Sequence, residues 1–356
     1  MCPVFLRLIA VMYRNNNAQV RWNNVSSPLL DMTNGVKQGG VLSPFLFGLY
    51  LDPLITKIRD SGFGCHVGLM PCNVFAYADD VVILAPSISA LKSIIHLCEI
   101  FSVESKLEFN CNKSEIVIFS KNLHIKNSKP RVLLNDKILK VSQSYKHLGV
   151  TVSNNKDIIV YDEIINEIKI KCNVIKNEFF NQNHKVKVKL FNSQCLSLYG
   201  CPLWELDSAD FRLLEVTWRK CCRSLLSLPW RTHNVLIPKI MNSKPIDCIV
   251  HNRFINFMKK GLVNENSLVN FIFKNSLTCL YSTLKRKLNF VLNKYELSYL
   301  DLFECSGMKI NLEYNCRVDQ WKLEILNEIL DFRDNMSLCF LNRNEIYQLL
   351  NFICTS

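Results

Sequence analysis

The spacing of apolar residues divides the chain into a mixed first part and a helical second part. The apolar run over residues 4–12 is typical of the end of a buried helix, and residues 18–22 have the pattern of a short strand. Ser43 and Pro44 are suited to begin a longer helix, as its N-cap and its first helical residue. The side chains expected on the buried face of this helix are Leu46, Tyr50, Leu51, Leu54, Ile55 and Ile58.

Two adjacent carboxylates stand between two segments that favour β-structure. Asp79 and Asp80 follow Phe75-Ala76-Tyr77-Ala78 and precede the apolar run over residues 81–85. Neighbouring side chains of a strand point to opposite faces, so two adjacent ligands are most easily used together at the tip of a hairpin. Two carboxylates this close repel each other, and a divalent cation is the usual reason for keeping them together. The pattern therefore predicts a metal-binding β-turn.

Further elements are predicted after this hairpin. They are a helix capped by Ser87 or Ser89, a strand over residues 115–120, a hairpin of residues 131–134 and 138–141, and a strand over residues 145–152 with Gly149 inside it. From about residue 157 onward, apolar residues recur at helical spacing. Trp218 falls on the apolar side of one of these helices, so we expect it in the core.

Composition adds a charge and limits the class of protein. The 356 residues are 49% hydrophobic, which is typical of a globular protein, and carry a formal net charge of +12. A chain this basic is suited to bind a polyanion such as nucleic acid. A basic protein that binds no polyanion has the same composition, so the charge alone does not separate the two. The sixteen cysteines include no C-x-x-C pair, so no zinc knuckle is predicted. Neither a secretory signal nor a membrane-spanning apolar run is recognisable, so we expect an intracellular protein with reduced thiols.

Four short motifs follow one another in the first 150 residues. They are Gly35-Val36-Lys37-Gln38-Gly39-Gly40-x-Leu42-Ser43-Pro44, Phe75-x-Tyr77-Ala78-Asp79-Asp80, Asn110-Cys111-Asn112-Lys113-Ser114-Glu115 and Tyr145-Lys146-His147-Leu148-Gly149-Val150. Their order and spacing resemble the reverse transcriptase of LINE-type (non-LTR) retrotransposons. Two downstream segments extend the resemblance to about residue 240; they are Tyr199-Gly200-x-x-Leu203-Trp204 and Leu228-Pro229-x-x-Thr232-His233-Asn234.

The resemblance implies a fold and a function. The implied fold is α+β: a partial right-hand polymerase palm, with helices packed on an antiparallel sheet, over residues 1–155, a helical thumb over residues 156–240 and a helical C-terminal extension over residues 241–356. The implied function is RNA-directed DNA polymerase, a two-metal nucleotidyl transfer onto a primer 3′-hydroxyl. An RNA template, a DNA primer and deoxynucleoside triphosphates are the implied partners, Mg²⁺ is the implied cofactor, no membrane is involved, and the protein is placed in the nucleus or cytoplasm.

The resemblance also implies roles for individual residues. Asp79 and Asp80 bind the metal ions, with Asp79 as the stronger ligand, and Lys113 approaches the leaving pyrophosphate as an acid or counter-charge. The residues implied to contact nucleotide, template or primer are Gln38, Gly39, Gly40, Tyr77, Tyr145, Leu148 and Gly149. Each role has a plain structural alternative, namely a solvated turn, a glycine turn, a surface lysine or strand packing.

Basic residues with nearby aromatic residues continue through the helical part. The cationic set comprises Lys185, Lys187, Lys189, Arg212, Arg219, Lys220, Arg223 and Arg231. A thumb needs a cationic face to follow the phosphate backbone of its substrate, and the alternative is an ordinary solvated helix face. His147 and His233 have no neighbours in the sequence that indicate metal binding or catalysis.

One part of the family pattern is missing. The family has a third metal-binding aspartate on an earlier strand, whereas the sole acid before Gly35 is Asp31, which lies too close to Gly35 and lacks the F-D pattern. We therefore expect an N-terminally truncated polymerase, without fingers and first catalytic motif, and an exposed strand edge beside the Asp79-Asp80 hairpin. Two hypotheses stay open: a polymerase fragment that is active only when joined to its missing part, and a catalytically dead remnant that only binds nucleic acid.

Overall fold

The computed structural model describes residues 2–14, 16–32, 35–154 and 161–299. The predicted C-terminal extension therefore lies partly outside the described residues, from residue 300 onward. The chain forms two compact units. The first unit comprises Met1–Ser114 with Pro130–Leu139, and the second unit comprises Glu115–Lys129 with Lys140–Ser356.

Short strands and a few helices make up the described residues before 155. In chain order they are α1 (Pro3–Tyr13), β1 (Asn17–Ala18), β2 (Arg21–Trp22), β3 (Val25–Ser26), β4 (Leu30–Asp31), α2 (Ser43–Asp60), β5 (His66–Val67), β6 (Met70–Pro71), β7 (Val74–Tyr77), β8 (Asp80–Ile83), α3 (Ile88–Ser105), β9 (Glu115–Val117), α4 (Leu123–Lys126), β10 (Leu133–Leu134), β11 (Lys137–Ile138), β12 (Lys140–Ser142), β13 (Ser144–His147) and β14 (Val150–Ser153).

Helices follow from residue 161 to residue 294. They are α5 (Tyr161–Glu178), α6 (His184–Cys195), a 3₁₀ turn (Cys201–Leu203), α7 (Ala209–Leu225), α8 (Leu236–Ile240), α9 (Ile246–Leu262), α10 (Ser267–Thr278) and α11 (Thr283–Lys294). Among the described residues, each of these helices is too short or too polar to traverse a bilayer.

The strands pair two by two within the described residues. Six pairs are antiparallel, namely β1–β4, β2–β3, β5–β6, β7–β8, β10–β11 and β13–β14, and β9 pairs with β12 in parallel. The mixture of helices with short, mainly antiparallel strands is consistent with the predicted α+β class. A single continuous sheet is not formed by the described residues, and the palm and thumb assignments stay predictions.

The core of the first unit is built from α2 and α3. Leu51, Leu54 and Ile58 of α2 meet Ile94 and Phe101 of α3 in one buried cluster. The partly buried side chains of the β7–β8 hairpin that pack against this cluster are Val74, Val81 and Ile83. The hairpin therefore lies on a two-helix platform.

Some predicted details of α2 are wrong. Leu42, not Ser43, occupies the N-cap position, and Ser43 is the first residue of the helix, where its hydroxyl donates to the carbonyl of Lys37 at 2.6 Å. Tyr50 is half exposed rather than buried, since its hydroxyl donates to the carbonyl of Ser105 at the end of α3. Leu46 and Ile55 are partly buried.

The apolar run at residues 4–12 does form a helix, but the predicted burial is wrong. No residue of α1 is buried, and the side chains of Val4, Leu8 and Val11 are more than half exposed. An apolar run alone does not distinguish a buried helix from an exposed one, because burial depends on what packs against it.

The predicted strands at residues 18–22 and 145–152 are each divided in the structure. Ala18 pairs with Leu30, whereas Trp22 pairs with Val25 in a separate hairpin. Residues 144–153 form the β13–β14 hairpin, whose central residues Leu148 and Gly149 have φ of +47° and +78°. Positive φ at both central residues is the mark of a type I′ turn, which reverses the chain where a single strand was expected.

The second unit has a continuous helical core. Its buried residues come from every helix between α5 and α11, and the predicted core residue Trp218 is confirmed as buried. Asparagine and serine caps fix the starts of several helices: the side chain of Asn183 accepts from Lys185 N at 2.8 Å, and that of Ser208 accepts from Phe211 N at 3.1 Å.

Candidate active site

The predicted carboxylate hairpin is formed by β7 and β8. Tyr77 pairs with Asp80, so Ala78 and Asp79 are the two central residues of its turn. Ala78 has φ of +51°, while Asp79 does not have positive φ, which is the φ pattern of a type II′ turn. Asp79 is therefore held in the turn itself, and Asp80 is the first residue of the returning strand.

The two faces of this hairpin differ. Val74 and Val81 lie on the face that packs on α2 and α3, whereas Tyr77 and Asp80 lie on the opposite face. Tyr77 is 65% exposed, and both aspartates are exposed. Within the described residues, neither carboxylate accepts a hydrogen bond or forms an ion pair. The tip thus presents two free negative groups to solvent beside one tyrosine.

Asn73, which sequence reasoning missed, anchors the base of the hairpin. Its buried side-chain amide donates to the carbonyl of Ile58 and to that of Phe63, both at 2.8 Å. Its own carbonyl accepts from Leu84 N at 2.8 Å, just beyond β8. Asn73 therefore joins the end of α2 to strands β7 and β8. No local sequence pattern indicates this role.

The glycine motif forms a tight turn before α2. Gly40 N donates to the carbonyl of Lys37 at 3.0 Å. Gly39 has φ of +77°, a backbone conformation that residues other than glycine rarely adopt. A Cβ at Gly40 would lie 2.5 Å from Oγ of Ser43, so glycine is needed there for close packing. Gln38 and Gly39 are exposed at the tip of this turn.

Lys113 lies in a separate loop built by its motif neighbours. The side-chain oxygen of Asn110 accepts from the backbone N of Asn112 and of Lys113, at 3.1 and 3.2 Å. Ser114 Oγ donates to the carbonyl of Asn110 at 2.9 Å, which closes the loop. Lys113 is exposed on this ordered loop.

The glutamate of the same motif has a structural position in the second unit. The carboxylate of Glu115 accepts a hydrogen bond from Lys140 at 2.8 Å, across the parallel pair β9–β12. This hydrogen bond is the main reason why the pKa of Glu115 lies below its usual value. Glu115 thus stays ionised and helps to fix the register of that pair.

Tyr145 and Gly149 belong to the β13–β14 hairpin of the second unit. The ring of Tyr145 stacks on that of His147, with centroids 6.1 Å apart. Gly149 lies in the turn, and a Cβ at this position would lie 3.3 Å from Cε1 of Tyr199. Tyr199 itself is 67% exposed.

The structure brings some of the predicted residues together. Tyr77, Asp79 and Asp80 share one hairpin end, and Gln38, Gly39 and Gly40 share one turn. Within the described residues of the first unit, no hydrogen bond or ion pair joins this turn, the hairpin tip and Lys113 to one another.

Comparison with known proteins supplies the family. Residues 3–152 match the family described as reverse transcriptase (RNA-dependent DNA polymerase). The chain is similar to a Pol polyprotein from the type-1 retrotransposable element R2 of Nasonia vitripennis, with 24% identity over 62% of the chain and 22% of the relative. Residues 3–152 form a reverse transcriptase domain that is similar to those of LINE-type retrotransposons.

Two further relatives agree with this assignment. An R2 Pol polyprotein of Popillia japonica is 31% identical over 32% of the chain and 17% of its own length. The RNA-directed DNA polymerase from the mobile element jockey of Drosophila melanogaster is 21% identical over 75% of the chain and 30% of its own length. The chain spans about a fifth of the length of the R2 relatives it matches. The predicted LINE-type resemblance is confirmed.

The carboxylates of the reverse transcriptase domain fit a divalent metal in part. Reverse transcriptases generally use divalent metal ions. Among the described residues, no three Asp, Glu, His or Cys side chains are grouped so that they could hold a metal ion by themselves. Asp79 and Asp80 nevertheless offer hard oxygen ligands, and Mg²⁺ is commonly bound by one or two carboxylates together with substrate phosphates and waters.

Proposed function

We propose that this chain takes part in RNA-directed DNA synthesis, adding deoxynucleotides to the 3′-hydroxyl of a DNA primer along an RNA template. The observation that carries the proposal is the β7–β8 tip, where two adjacent, exposed and unpaired carboxylates are held on an anchored hairpin. Two like charges side by side are unfavourable unless a cation joins them. The proposed cation is Mg²⁺, with Asp79 as the stronger ligand and Asp80 as the weaker.

The bound metal would supply charge stabilisation for the attacking and leaving oxygens of phosphoryl transfer. The protein's own part in the proposal is positioning. The anchored tip holds Asp79 and Asp80 in fixed places, and Tyr77 beside them contacts the substrate. Lys113, on its ordered loop, offers an ammonium group to the leaving pyrophosphate.

Contacts with the substrates are assigned to the turns of the other motifs. Gln38, Gly39 and Gly40 lie against the nucleotide and template, where the missing side chains allow close approach of the backbone. Tyr145 and Gly149 position the primer end. In this proposal residues 1–155 contribute a palm and residues 156–240 a thumb that follows the phosphate backbone through its basic side chains.

A second candidate function is nucleic-acid binding without catalysis. It is favoured by the small number of metal ligands, because within the described residues no third carboxylate lies with Asp79 and Asp80 to hold a metal ion. A basic chain of net charge +12 would bind primer–template in either case.

Primer extension separates the two functions. The full chain is incubated with a 5′-labelled DNA primer annealed to RNA, with Mg²⁺ and deoxynucleotides, and Asp79→Ala is assayed beside it. Extension by the wild type above that by Asp79→Ala supports the polymerase. Steeply salt-dependent binding of the primer–template without any extension supports the binding protein instead.

A further inference from the structure

The segment after α7 is an ordered loop that ends the helix in a defined way. Ser227 has φ of +51° and its N donates to the carbonyl of Ser224, while Leu228 N donates to the carbonyl of Arg223 at 2.9 Å. These two bonds are those of a Schellman motif, which satisfies the last carbonyls of a helix. These hydrogen bonds therefore fix the direction of the backbone after α7.

A tight turn follows at residues 229–232. The backbone N of Thr232 and its hydroxyl both donate to the carbonyl of Pro229, at 3.0 and 2.7 Å. The side chain of Thr232 is buried, so this turn is fixed to the body of the second unit. Trp230 and Arg231 are the two central residues of the turn.

Arg223 braces the turn from the last turn of α7. Its Nε and Nη2 donate to the carbonyl of Thr232 at 3.2 and 2.8 Å, and Nη2 also donates to Oδ1 of Asn234 at 2.6 Å. A planar guanidinium holds such a geometry with little freedom. The motif residues Leu228, Thr232 and Asn234 thus build the loop, and the two residues between Pro229 and Thr232 form its tip.

The tip carries an aromatic ring and a cation in contact. Trp230 is 72% exposed, and the guanidinium carbon of Arg231 lies 4.7 Å from the centre of its ring. Tryptophan is highly buried on average, so a mostly exposed indole on a turn fixed by hydrogen bonds is unusual and indicates a role in binding. A fixed indole loses little conformational entropy when a second flat group stacks on it.

The stretch of sequence that contains the tip is basic. Residues 216–246, which stand between Glu215 and Asp247, contain six lysines and arginines and no aspartate or glutamate. A polyanion is the partner that matches such a stretch. Bases in a duplex are already stacked on each other, whereas those of a single strand are free to stack on an aromatic side chain.

We propose that Trp230 and Arg231 bind single-stranded RNA, with one base stacked on the indole and a neighbouring phosphate held by the guanidinium. This inference rests on the proposed function, because the template of an RNA-directed polymerase is the RNA that would reach this site. The contact is sequence-tolerant, since every base has a face that can stack.

Fluorescence anisotropy with the full chain tests the site without any need for catalysis. A labelled 20-nucleotide single-stranded RNA is titrated with the wild type, Trp230→Ala, Trp230→Phe and Arg231→Ala. We expect Trp230→Ala to weaken binding about 5- to 100-fold and Trp230→Phe to retain most of the affinity. Tyr281→Ala is the matched control, because Tyr281 is 94% exposed in the same unit. Its affinity is expected to stay within about twofold of the wild type.

Three results would overturn the site. The first is an affinity of Trp230→Ala for the single-stranded RNA within twofold of that of the wild type. The second is an equal loss of affinity of Trp230→Ala for double-stranded RNA of the same length, and the third is a loss of affinity that is confined to single-stranded DNA. Circular dichroism of each variant checks that the fold is kept. Arg231→Ala, at an exposed position of the same tip, should also weaken binding and keeps the test valid if Trp230→Ala is unstable. This assay measures RNA binding and the primer-extension assay measures catalysis, so failure of the polymerase proposal and failure of this site give different results.

Discussion

The ring of Tyr199 occupies the space that a side chain at residue 149 would need: a Cβ on Gly149 would lie 3.3 Å from Cε1 of Tyr199. The relation is reciprocal, since a Cβ on Gly200 would lie 3.0 Å from Cγ2 of Val150. Two glycines from two different motifs therefore allow the β13–β14 hairpin to pack against the segment before the 3₁₀ turn. Both motifs have a packing role whatever their role toward a primer.

Gly149→Ala is predicted to destabilise the second unit. A side chain at φ of +78° is strained, and the new methyl group presses on the ring of Tyr199. We expect the free energy of unfolding, measured by denaturant titration, to fall by about 1–3 kcal/mol. Gly48→Ala is the control: Gly48 lies in α2 with open space around it, so the free energy should rise by about 0.5–1 kcal/mol. Equal effects at both positions would refute the packing argument.

Asn73→Ala is predicted to loosen the carboxylate hairpin. The substitution removes two buried hydrogen bonds and leaves the carbonyls of Ile58 and Phe63 without this donor. A loss of about 1–3 kcal/mol in the free energy of unfolding is expected. Asn112→Ala, at an exposed position, should change it by less than about 0.5 kcal/mol. Faster hydrogen exchange of the β7–β8 amides in Asn73→Ala would locate the effect, and unchanged exchange would contradict it.

His251 is predicted to make stability depend on pH. It is 0% exposed among the rings of Phe211, Phe290 and Tyr295. Burial, and then the charge of Lys294, lowers its pKa to about 4 from the usual 6.5. As the pH falls, the imidazole of His251 therefore takes up a proton in the unfolded chain before it does so in the folded protein. The stabilisation of the folded state by this difference in pKa is complete above pH 6.5 and is lost as the pH falls toward 4.

The measurement is denaturant unfolding at several pH values between 7 and 4. Relative to His251→Asn, the wild type should lose up to about 3 kcal/mol over this range, since each pKa unit corresponds to about 1.4 kcal/mol. Taking the difference between the two proteins removes the contributions of other groups such as Glu215, whose pKa burial raises. His124→Asn, at an exposed position, should follow the wild type. Parallel curves for wild type and His251→Asn would exclude this role.

Local patterns predicted the elements whose signals lie in consecutive residues. The β7–β8 hairpin, the Asn135-Asp136 turn with φ of +49° and +60°, and the N-cap of α3 at Ser87 all follow from neighbouring residue types. The strand predicted across Gly149 was wrong because Leu148 gave no sign that it would adopt positive φ.

Features that depend on distant residues could not be predicted. Asn73 anchors the hairpin through carbonyls that lie 10 and 15 residues earlier, and α1 is exposed although its residues are apolar. Trp230 was missed because it stands at one of the two positions that the motif Leu228-Pro229-x-x-Thr232-His233-Asn234 leaves unspecified. The Pro-x-x-Thr spacing that surrounds it is nevertheless a turn signal, and such a signal could have drawn attention to the two residues at the tip.

Single-nucleotide incorporation tests the central claim most directly. The rate of addition of one deoxynucleotide to a DNA primer on an RNA template, with Mg²⁺, is compared between wild type, Asp79→Asn and Asp136→Asn. Asp136 is a matched control, an exposed acid in another hairpin turn of the same unit, where asparagine tolerates the positive φ. We predict that Asp79→Asn lowers the rate at least about 100-fold and that Asp136→Asn leaves it within about twofold. Equal rates for wild type and Asp79→Asn, or no incorporation by a wild type that binds the primer–template, would contradict the claim.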